Sequence, residues 1–343
     1  FFCFYNPVFS QVTCTNSGTW TTATWSPAPP TTGQSILVNA GCTLTIDQTT
    51  PLLQNIQIDG AIIVTTGSTS CLLLNGDLII NNGAVLENNG CVDFRTPGKS
   101  FQLNGTATYV HNPLLNLAQD ENIFFNGNES FSVSSNLFIK KWNDPTIPLG
   151  AVSRVQSGSF GNLTLSATFP GNGEWLQSGR FALPVPDRIR GNFSVTEGTV
   201  VMDEGSGNTI SLILSNVNIS ANGSLVFQRG NYRNFSLTTG NFTVSTSNPV
   251  KRPSIIMDSS LGVLNWTVNG NLQLNHSFNA LAGTTFESGG DARITVNGNA
   301  NFSGGSIVLV TKADAPCRLQ VSGTTTLNNT VGTVCFLDGG NGT

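Results

Sequence analysis

Arg190-Gly-Asn-Phe-Ser-Val195 is one copy of a short unit that recurs along this chain of 343 residues. In an extended strand Phe193 and Val195 point to one side while Asn192 and Ser194 point to the other, because side chains alternate along a strand. The Gly-Asn pair suits a tight corner, since both residue types tolerate left-handed backbone. The unit therefore predicts a short strand with one apolar face that is entered through a turn.

The spacing of the copies favours a solenoid. The anchors of the copies from Gly161 to Gly323 are separated by 30, 25, 24, 30, 28 and 25 residues. Two-residue hairpins of an antiparallel sandwich, the main alternative, would give strands every 8 to 12 residues or so, with no reason for resemblance at the longer interval. We predict an all-β fold, namely a single-stranded parallel β-helix (β-solenoid) with degenerate rungs of about 20–30 residues.

Asn-Gly pairs mark many of the predicted corners. We attribute them to the left-handed backbone that a corner needs. The pairs that carry this interpretation are Asn75-Gly76, Asn104-Gly105, Asn269-Gly270 and Asn297-Gly298.

The low charge of the chain excludes several classes of protein. Only 10% of residues are charged and the net charge is −4, so no basic stripe is present that could neutralise a phosphate backbone. No run of 18 apolar residues suggests a transmembrane segment. Nucleic acid and a membrane span are therefore not expected.

Four segments differ in pattern. Residues 1–11 are apolar and aromatic, and they are predicted to be a signal-peptide remnant cut between Ser10 and Gln11, or else an apolar N-terminal arm. Residues 12–110 form an N-terminal cap and the first rungs. The period weakens over 111–190, which predicts irregular rungs with inserted loops, and 191–343 are regular rungs. Both interpretations of residues 1–11 place the protein outside the cell or on its surface.

Cysteine spacing is compatible with an oxidising compartment. Six cysteines remain if Cys3 belongs to the signal remnant, and successive partners lie 28, 20 and 18 residues apart, or about one turn of a solenoid. Neighbouring turns stack about 4.8 Å apart, within the reach of a disulfide. The alternative is a set of buried free thiols. The predicted disulfide partners are Cys14 with Cys42, Cys71 with Cys91, and Cys317 with Cys335.

Residues 18–64 carry a set of aromatic, glycine and aliphatic positions that supports a resemblance. They include Gly18-Thr-Trp20, Ala23-Thr-Trp25, Ile36-Leu-Val-Asn-Ala-Gly41 and Thr43-Leu-Thr-Ile-Asp47. This stretch resembles the opening module of secreted bacterial (Bacteroidota-like) parallel β-helix surface proteins. It is also similar to the eight-glycine domain of cell-surface hyaluronidase-like and fibrocystin-like proteins. The resemblance implies a secreted β-helix whose repeats fill the rest of the chain.

The two tryptophans of this stretch have a packing explanation. We expect Trp20 and Trp25 to cap the first rung by covering the open end of the solenoid, and sugar stacking is the alternative.

Thirteen Asn-x-Ser/Thr sequons raise the prospect of N-glycosylation. Roughly eight would arise from composition alone. Seven have an apolar middle residue, which an outward-inward-outward strand produces in any case. The candidates are Asn104, Asn128, Asn162, Asn192, Asn218, Asn222, Asn234, Asn241, Asn265, Asn275, Asn301, Asn328 and Asn341.

Catalytic signatures are weak. A polysaccharide lyase or hydrolase needs clustered acids or a pair of carboxylates about one bond, and no such pair stands out. His111 and His276 are far apart in sequence and are expected at the surface. Neither a cofactor nor a metal site is predicted. The tryptophans and charges of the irregular segment are the candidates for contact with a glycan or a partner: Lys140, Lys141, Trp142, Trp175 and Arg180.

These features predict a non-catalytic extracellular structural or adhesive surface protein, such as a stalk, an adhesin segment or a filament subunit. Its expected partners are further copies joined end to end, or a longer parent chain, together with glycans. The alternative is a β-helix protein that binds or cleaves polysaccharides.

Overall fold

A computed structural model describes most of the chain. It covers residues 11–67, 69–96, 98–114, 128–141, 160–166, 174–176, 189–201, 206–228, 231–246, 255–257, 263–276, 285–288, 292–303, 307–312, 317–328 and 334–339. These residues form strands and turns and no helix. The described part of the chain therefore contains no helix that could cross a membrane.

The described residues fall into two compact units, one ending at Leu137 and one beginning at Phe138. The strands up to residue 139 are short, as expected for rungs entered through corners: β1 (Gln11–Asn16), β2 (Gly18–Thr19), β3 (Thr24–Ser26), β4 (Ser35–Val38), β5 (Thr43–Ile46), β6 (Ile56–Ile58), β7 (Ile62–Thr66), β8 (Leu72–Leu74), β9 (Leu78–Ile80), β10 (Val85–Asn89), β11 (Val92–Phe94), β12 (Ser100–Leu103), β13 (Thr108–His111), β14 (Asn128–Phe131) and β15 (Asn136–Ile139).

The strands from residue 160 onward include several longer ones: β16 (Asn162–Ser166), β17 (Glu174–Leu176), β18 (Phe193–Val201), β19 (Ser206–Leu214), β20 (Val217–Gln228), β21 (Asn231–Thr239), β22 (Phe242–Thr246), β23 (Ile255–Met257), β24 (Val263–Val268), β25 (Leu272–His276), β26 (Thr285–Ser288), β27 (Ala292–Val296), β28 (Ala300–Ser303), β29 (Ile307–Lys312), β30 (Cys317–Val321), β31 (Thr325–Asn328) and β32 (Val334–Gly339).

Each unit is a parallel β-solenoid, in which one turn, here called a coil, stacks on the coil before it. In the first unit the strands stack in the orders β1-β4-β6-β9-β12-β14, β2-β5-β7-β10-β13 and β8-β11. In the second unit the orders are β16-β18-β20-β22-β25-β28-β31, β19-β21-β24-β27-β30 and β26-β29-β32. The predicted fold class is thereby confirmed.

One strand departs from the parallel arrangement. β3 pairs antiparallel with β1 at the edge of its sheet. It has three residues and is followed by Pro27, Pro29 and Pro30. A short edge strand beside prolines discourages pairing with another chain.

Most of the described interior consists of apolar columns with one residue per coil. In the second unit one column contains Leu163, Phe193, Val217, Phe242 and Leu272, which are in register and at most 2% exposed. Parallel in-register stacking places like residues on top of one another. This arrangement explains why the sequence repeats at the length of a coil.

The two predicted cysteine pairs of the first unit differ in their covalent state. Cys71 and Cys91 form a disulfide. Cys14 and Cys42 are separate buried thiols, and the Cys42 thiol donates a hydrogen bond to the Cys14 carbonyl over 3.4 Å. Burial, with a further contribution from Cys42, raises the pKa of Cys14 to about 11, which keeps it a thiol at neutral pH. A disulfide between Cys14 and Cys42 remains a prediction.

The third cysteine pair is described only by its backbone. Cys317 lies in β30 and Cys335 lies in β32, which belong to different sheets. Their side chains, and all of Cys3, lie outside the described residues.

Candidate functional site

A ladder of asparagine carboxamides runs along one corner of the second unit. In the repeated Gly-Asn unit, each Asn Oδ1 accepts a hydrogen bond from the next coil. The backbone N–H of Asn192 donates to Asn162 Oδ1 over 2.8 Å, and that of Asn271 donates to Asn241 Oδ1 over 2.9 Å. The complete ladder comprises Asn162, Asn192, Asn216, Asn241, Asn271 and Asn299, and ends at the N–H of Thr324.

A glycine precedes every ladder asparagine except Asn216, which follows Ser215. At Gly191, Gly240, Gly270 and Gly298 this glycine leaves room for the carboxamide of the previous coil. A Cβ on Gly270 would lie 2.4 Å from Asn241 Oδ1, and one on Gly298 would lie 2.6 Å from Asn271 Oδ1. Real Cβ atoms do not approach so closely. This geometry explains why the repeat contains Gly-Asn. The asparagine carboxamide bonds to the next coil, and the glycine, which has no Cβ, leaves space for the carboxamide of the previous coil.

This geometry corrects one interpretation of the Asn-Gly pairs. Left-handed backbone occurs at Gly105, with φ of +59°. The glycines at 76, 270 and 298 do not have positive φ, and the reason for glycine there is close approach to the preceding coil.

The first unit uses the same device with a mixed set of side chains. The N–H of Asp77 donates to Asn55 Oδ1 and the N–H of Ser100 donates to Asp77 Oδ1, each over 2.8 Å. Asn104 Nδ2 donates to Asn81 Oδ1 over 2.8 Å, and Asn81 in turn donates to Asp59. Several polar side chains of this unit therefore connect coils.

Replacing Asn241 with alanine is expected to lower the free energy of unfolding by about 1 kcal/mol, because the Asn271 N–H loses its acceptor. Asn241→Asp keeps an oxygen at this position and should lose less. Asn218→Ala is the matched control, since Asn218 is exposed and outward-facing, and should change stability by less than about 0.5 kcal/mol. Urea unfolding measures all three variants. Equal losses for Asn241→Ala and Asn218→Ala would contradict a stabilising role for the ladder.

A column of polar side chains lies inside the first unit. Thr65, Asn88 and His111 are in register and fully buried. Thr65 Oγ1 donates to Asn88 Oδ1 over 3.1 Å, and the Tyr109 hydroxyl lies 3.4 Å from His111 Nδ1. The expectation that His111 lies at the surface is therefore wrong, because it continues an interior polar column. The side chain of His276 lies outside the described residues.

The two tryptophans of the first coil are buried. Trp20 and Trp25 are 5% and 8% exposed, and their ring centroids are 4.9 Å apart. Trp25 Nε1 donates to the Trp20 carbonyl over 3.2 Å. Their position on β3 and beside β2, at the edge of the stack, agrees with the predicted cap and leaves little ring surface for a sugar.

The predicted contact residues are only partly described. Lys140 is exposed and Lys141 is half-buried, and both follow β15. Trp175 lies in β17, but its side chain is outside the described residues, as are Trp142 and Arg180. Their role as a contact surface stays a prediction.

The sequons differ in their surroundings. Asn218 is exposed between the buried Val217 and Ile219, and Asn265 is exposed and precedes the buried Trp266. Asn162, Asn192 and Asn241 belong to the ladder, whereas Asn104 and Asn128 donate through Nδ2 to Asn81 and to the Gly98 carbonyl. Asn301 is half-buried. The side chains of the remaining five lie outside the described residues: Asn222, Asn234, Asn275, Asn328 and Asn341. Glycosylation stays a prediction, and Asn218 and Asn265 are exposed candidates for it.

A groove of about 300 Å³ lies on the first unit. Its polar lining includes Gln11, Asn55, Gln57 and Asp77, with Ile79 as an apolar wall. Asn55 and Asp77 already accept hydrogen bonds from neighbouring coils, and Gln57 Nε2 donates to Asp59. Asn55, Gln57 and Asp77 therefore take part in hydrogen bonds within the chain.

In the described residues, the acidic side chains either form contacts within the chain or lie apart from one another. Asp93 pairs with Arg95 over 2.7 Å, and Asp59 and Asp77 take part in the contacts between coils. Glu129 is fully buried in register with Phe101. Within the described ranges there is no group of three or more His, Cys, Asp or Glu that could hold a metal ion.

Comparisons of the chain with protein-family models, with curated proteins and with solved structures gave no match. The resemblance of residues 18–64 to secreted bacterial β-helix proteins and to the eight-glycine domain therefore stays a prediction.

Proposed function

We propose that this chain is a non-catalytic structural or adhesive segment of an extracellular surface protein. The observation that carries this proposal is the carboxamide ladder, since it commits one polar side chain per coil to joining that coil to the next. A stacked architecture of this kind gives length through repetition, and its outward faces present Ser, Thr, Asn and Gln to solvent.

The acidic side chains support the same proposal. A polysaccharide hydrolase needs two carboxylates placed about one glycosidic bond. Asp59, Asp77 and Asp93 instead accept hydrogen bonds or pair with nearby groups of the chain. Their arrangement supports structural roles.

The mode of assembly is a separate part of the proposal. A stalk or adhesin segment within a longer parent chain fits the protected β3 edge better than a filament subunit, because end-to-end stacking would have to pair that edge with another copy. Electron microscopy of the purified chain tests this step. Separate particles are expected, and fibres would select the filament subunit.

Incubation with acidic and neutral polysaccharides tests the absence of catalysis. We expect no new reducing ends and no new unsaturated ends, measured by a reducing-sugar assay and by ultraviolet absorbance. Either product would contradict the proposal and select the polysaccharide-cleaving alternative.

A further inference from the structure

The corner between β9 and β10 holds an Asn-Gly pair, Asn82 and Gly83, in which both residues are exposed. Thr106 lies at the corner before β13, the strand that pairs with β10 in the next coil, and it is exposed as well. In an Asn-Gly pair the backbone nitrogen after the asparagine is little hindered, because glycine has no Cβ. This pair is therefore suited to reaction between that nitrogen and the asparagine carboxamide.

Thr106 forms hydrogen bonds to both groups that would react. Its backbone N–H and its hydroxyl each donate to Asn82 Oδ1 over 3.0 Å. The backbone N–H of Gly83 donates to the same hydroxyl oxygen, Thr106 Oγ1, over 3.2 Å. One hydroxyl group therefore connects the nitrogen of Gly83 to the carboxamide oxygen of Asn82.

We propose that Asn82 and Gly83 form a succinimide ring and that Thr106 promotes its closure. The Gly83 nitrogen forms a bond to Asn82 Cγ. Its proton passes to Thr106 Oγ1, while the hydroxyl proton of Thr106 passes to Asn82 Oδ1. The two donors on Oδ1 stabilise the negative charge that develops on this oxygen, as the donors of an oxyanion hole do.

Loss of ammonia and addition of water complete the modification. The bond from Asn82 Cγ to Nδ2 breaks, and Nδ2 leaves as ammonia with the proton from Oδ1, so that the carbonyl forms again. Water then opens the ring. Attack at the side-chain carbonyl gives aspartate, and attack at the backbone carbonyl gives isoaspartate. The exposed corner gives water access to the ring and lets ammonia leave.

Two Asn-Gly pairs of the second unit have a different arrangement, namely Asn269-Gly270 and Asn297-Gly298. The N–H of Gly270 donates to the Gly240 carbonyl over 3.2 Å, and that of Gly298 donates to the Gly270 carbonyl over 3.0 Å. A carbonyl oxygen accepts a hydrogen bond but has no proton to donate to the asparagine. Both pairs should therefore react more slowly than Asn82.

The pair Asn104-Gly105 shares only part of the arrangement. The N–H of Gly105 donates to a hydroxyl oxygen, Ser132 Oγ, over 3.0 Å. Asn104, however, contacts the previous coil through Nδ2, which donates to Asn81 Oδ1 over 2.8 Å. Because Nδ2 is the atom that must leave, this hydrogen bond opposes the reaction, and Asn104 should also react more slowly than Asn82.

The modification would change the contact between two coils of the first unit. Either product adds a negative charge at an exposed corner of a chain in which only 10% of residues are charged. Isoaspartate also adds a methylene group to the main chain, which moves the carboxyl group away from the N–H and the hydroxyl of Thr106. This inference goes beyond the proposed surface role and does not depend on it.

Peptide mapping by mass spectrometry tests the proposal on the full chain, sampled at intervals during incubation at neutral pH. In the folded chain Asn82 should convert roughly tenfold or more faster than Asn269 and Asn297. Hydroxylamine should trap the succinimide at Asn82 as a hydroxamate. In urea the contacts between coils are absent, so the three sites should convert at similar rates.

Variants at Thr106 test its role. Thr106→Val removes the hydroxyl and should slow the conversion of Asn82 by roughly tenfold or more. Thr106→Ser keeps the hydroxyl and should retain most of the rate. Thr108→Val is the matched control, since the Thr108 hydroxyl accepts a hydrogen bond from Asn136 instead, and it should leave the rate unchanged. Circular dichroism checks that each variant is folded.

Three results would overturn the inference. The first is conversion of Asn82 in the folded chain that is no faster than conversion of Asn269. The second is a rate at Asn82 that is as high in urea as in the folded chain, a comparison that needs no variant. The third is an unchanged rate in folded Thr106→Val, or an equal loss of rate in Thr108→Val.

Discussion

Replacing Trp266 with alanine is expected to lower the free energy of unfolding by about 3–5 kcal/mol. Trp266 is 1% exposed, and its ring meets that of Phe242 edge-on with centroids 4.8 Å apart. Its Nε1 also donates to Thr239 Oγ1 over 3.2 Å. Alanine would leave a cavity in the column between Leu237 and Ile294 and would remove the donor to a buried hydroxyl.

Two further variants separate these contributions, all measured by urea unfolding. Trp266→Phe keeps an aromatic ring but lacks the N–H, so a loss of about 1–2 kcal/mol is expected. Leu327→Ala is the exposed control, because Leu327 is 61% exposed, and should change stability by less than about 0.5 kcal/mol. A loss below about 1 kcal/mol for Trp266→Ala would show that the column is not packed as described.

The solenoid could be predicted because the Gly-Asn units recur in the sequence at the length of one coil. Ladder contacts join residues 30, 24, 25, 30, 28 and 25 positions apart, which matches the predicted spacing of the Gly-Asn units. Alternation within Phe193-Ser-Val195 also predicted correctly which side chains are buried. Both signals are local or periodic, and so they can be recognised in the sequence before the contacts between coils are known.

Other features depend on register, which the sequence does not state. His111 looks like an isolated polar residue until β13 is aligned with β10, which places it on Asn88 inside the unit. Arg293 and Arg318 are separated by 25 positions, and only the alignment of β27 with β30 makes them neighbours. Comparing equivalent positions once per coil, rather than along the chain, is the signal that could have found the arginine pair.

The glycines of the Asn-Gly pairs do lie at corners, but the reason for glycine differs from one corner to another. Corners do favour left-handed backbone, and Gly83 and Gly105 have it. At Gly270 the deciding contact comes instead from the Asn241 carboxamide of the previous coil, and at Gly298 it comes from the Gly270 carbonyl and the Asn271 carboxamide. Composition and turn propensity cannot predict such a contact, because the contacting atom belongs to a residue about one coil earlier.

Gly76→Ala is expected to destabilise the first unit by about 3 kcal/mol, at the upper end of overpacking effects. A Cβ at this buried position would lie 1.7 Å from the Gln54 carbonyl oxygen and 2.2 Å from Asn55 Oδ1. The carbonyl is backbone and cannot rotate away as a side chain can. The coils must therefore separate, which strains the bond from the Asp77 N–H to Asn55 Oδ1.

Gly83→Ala is the matched control, because Gly83 is exposed, has φ of +75° and has no atom within 4 Å of a Cβ. Only the left-handed conformation opposes alanine there, so a loss of about 1 kcal/mol is expected, and Gly83→Asn should recover part of it. Urea unfolding followed by circular dichroism compares the three. If Gly76→Ala were no worse than Gly83→Ala, close packing of the coils at Gly76 would be refuted.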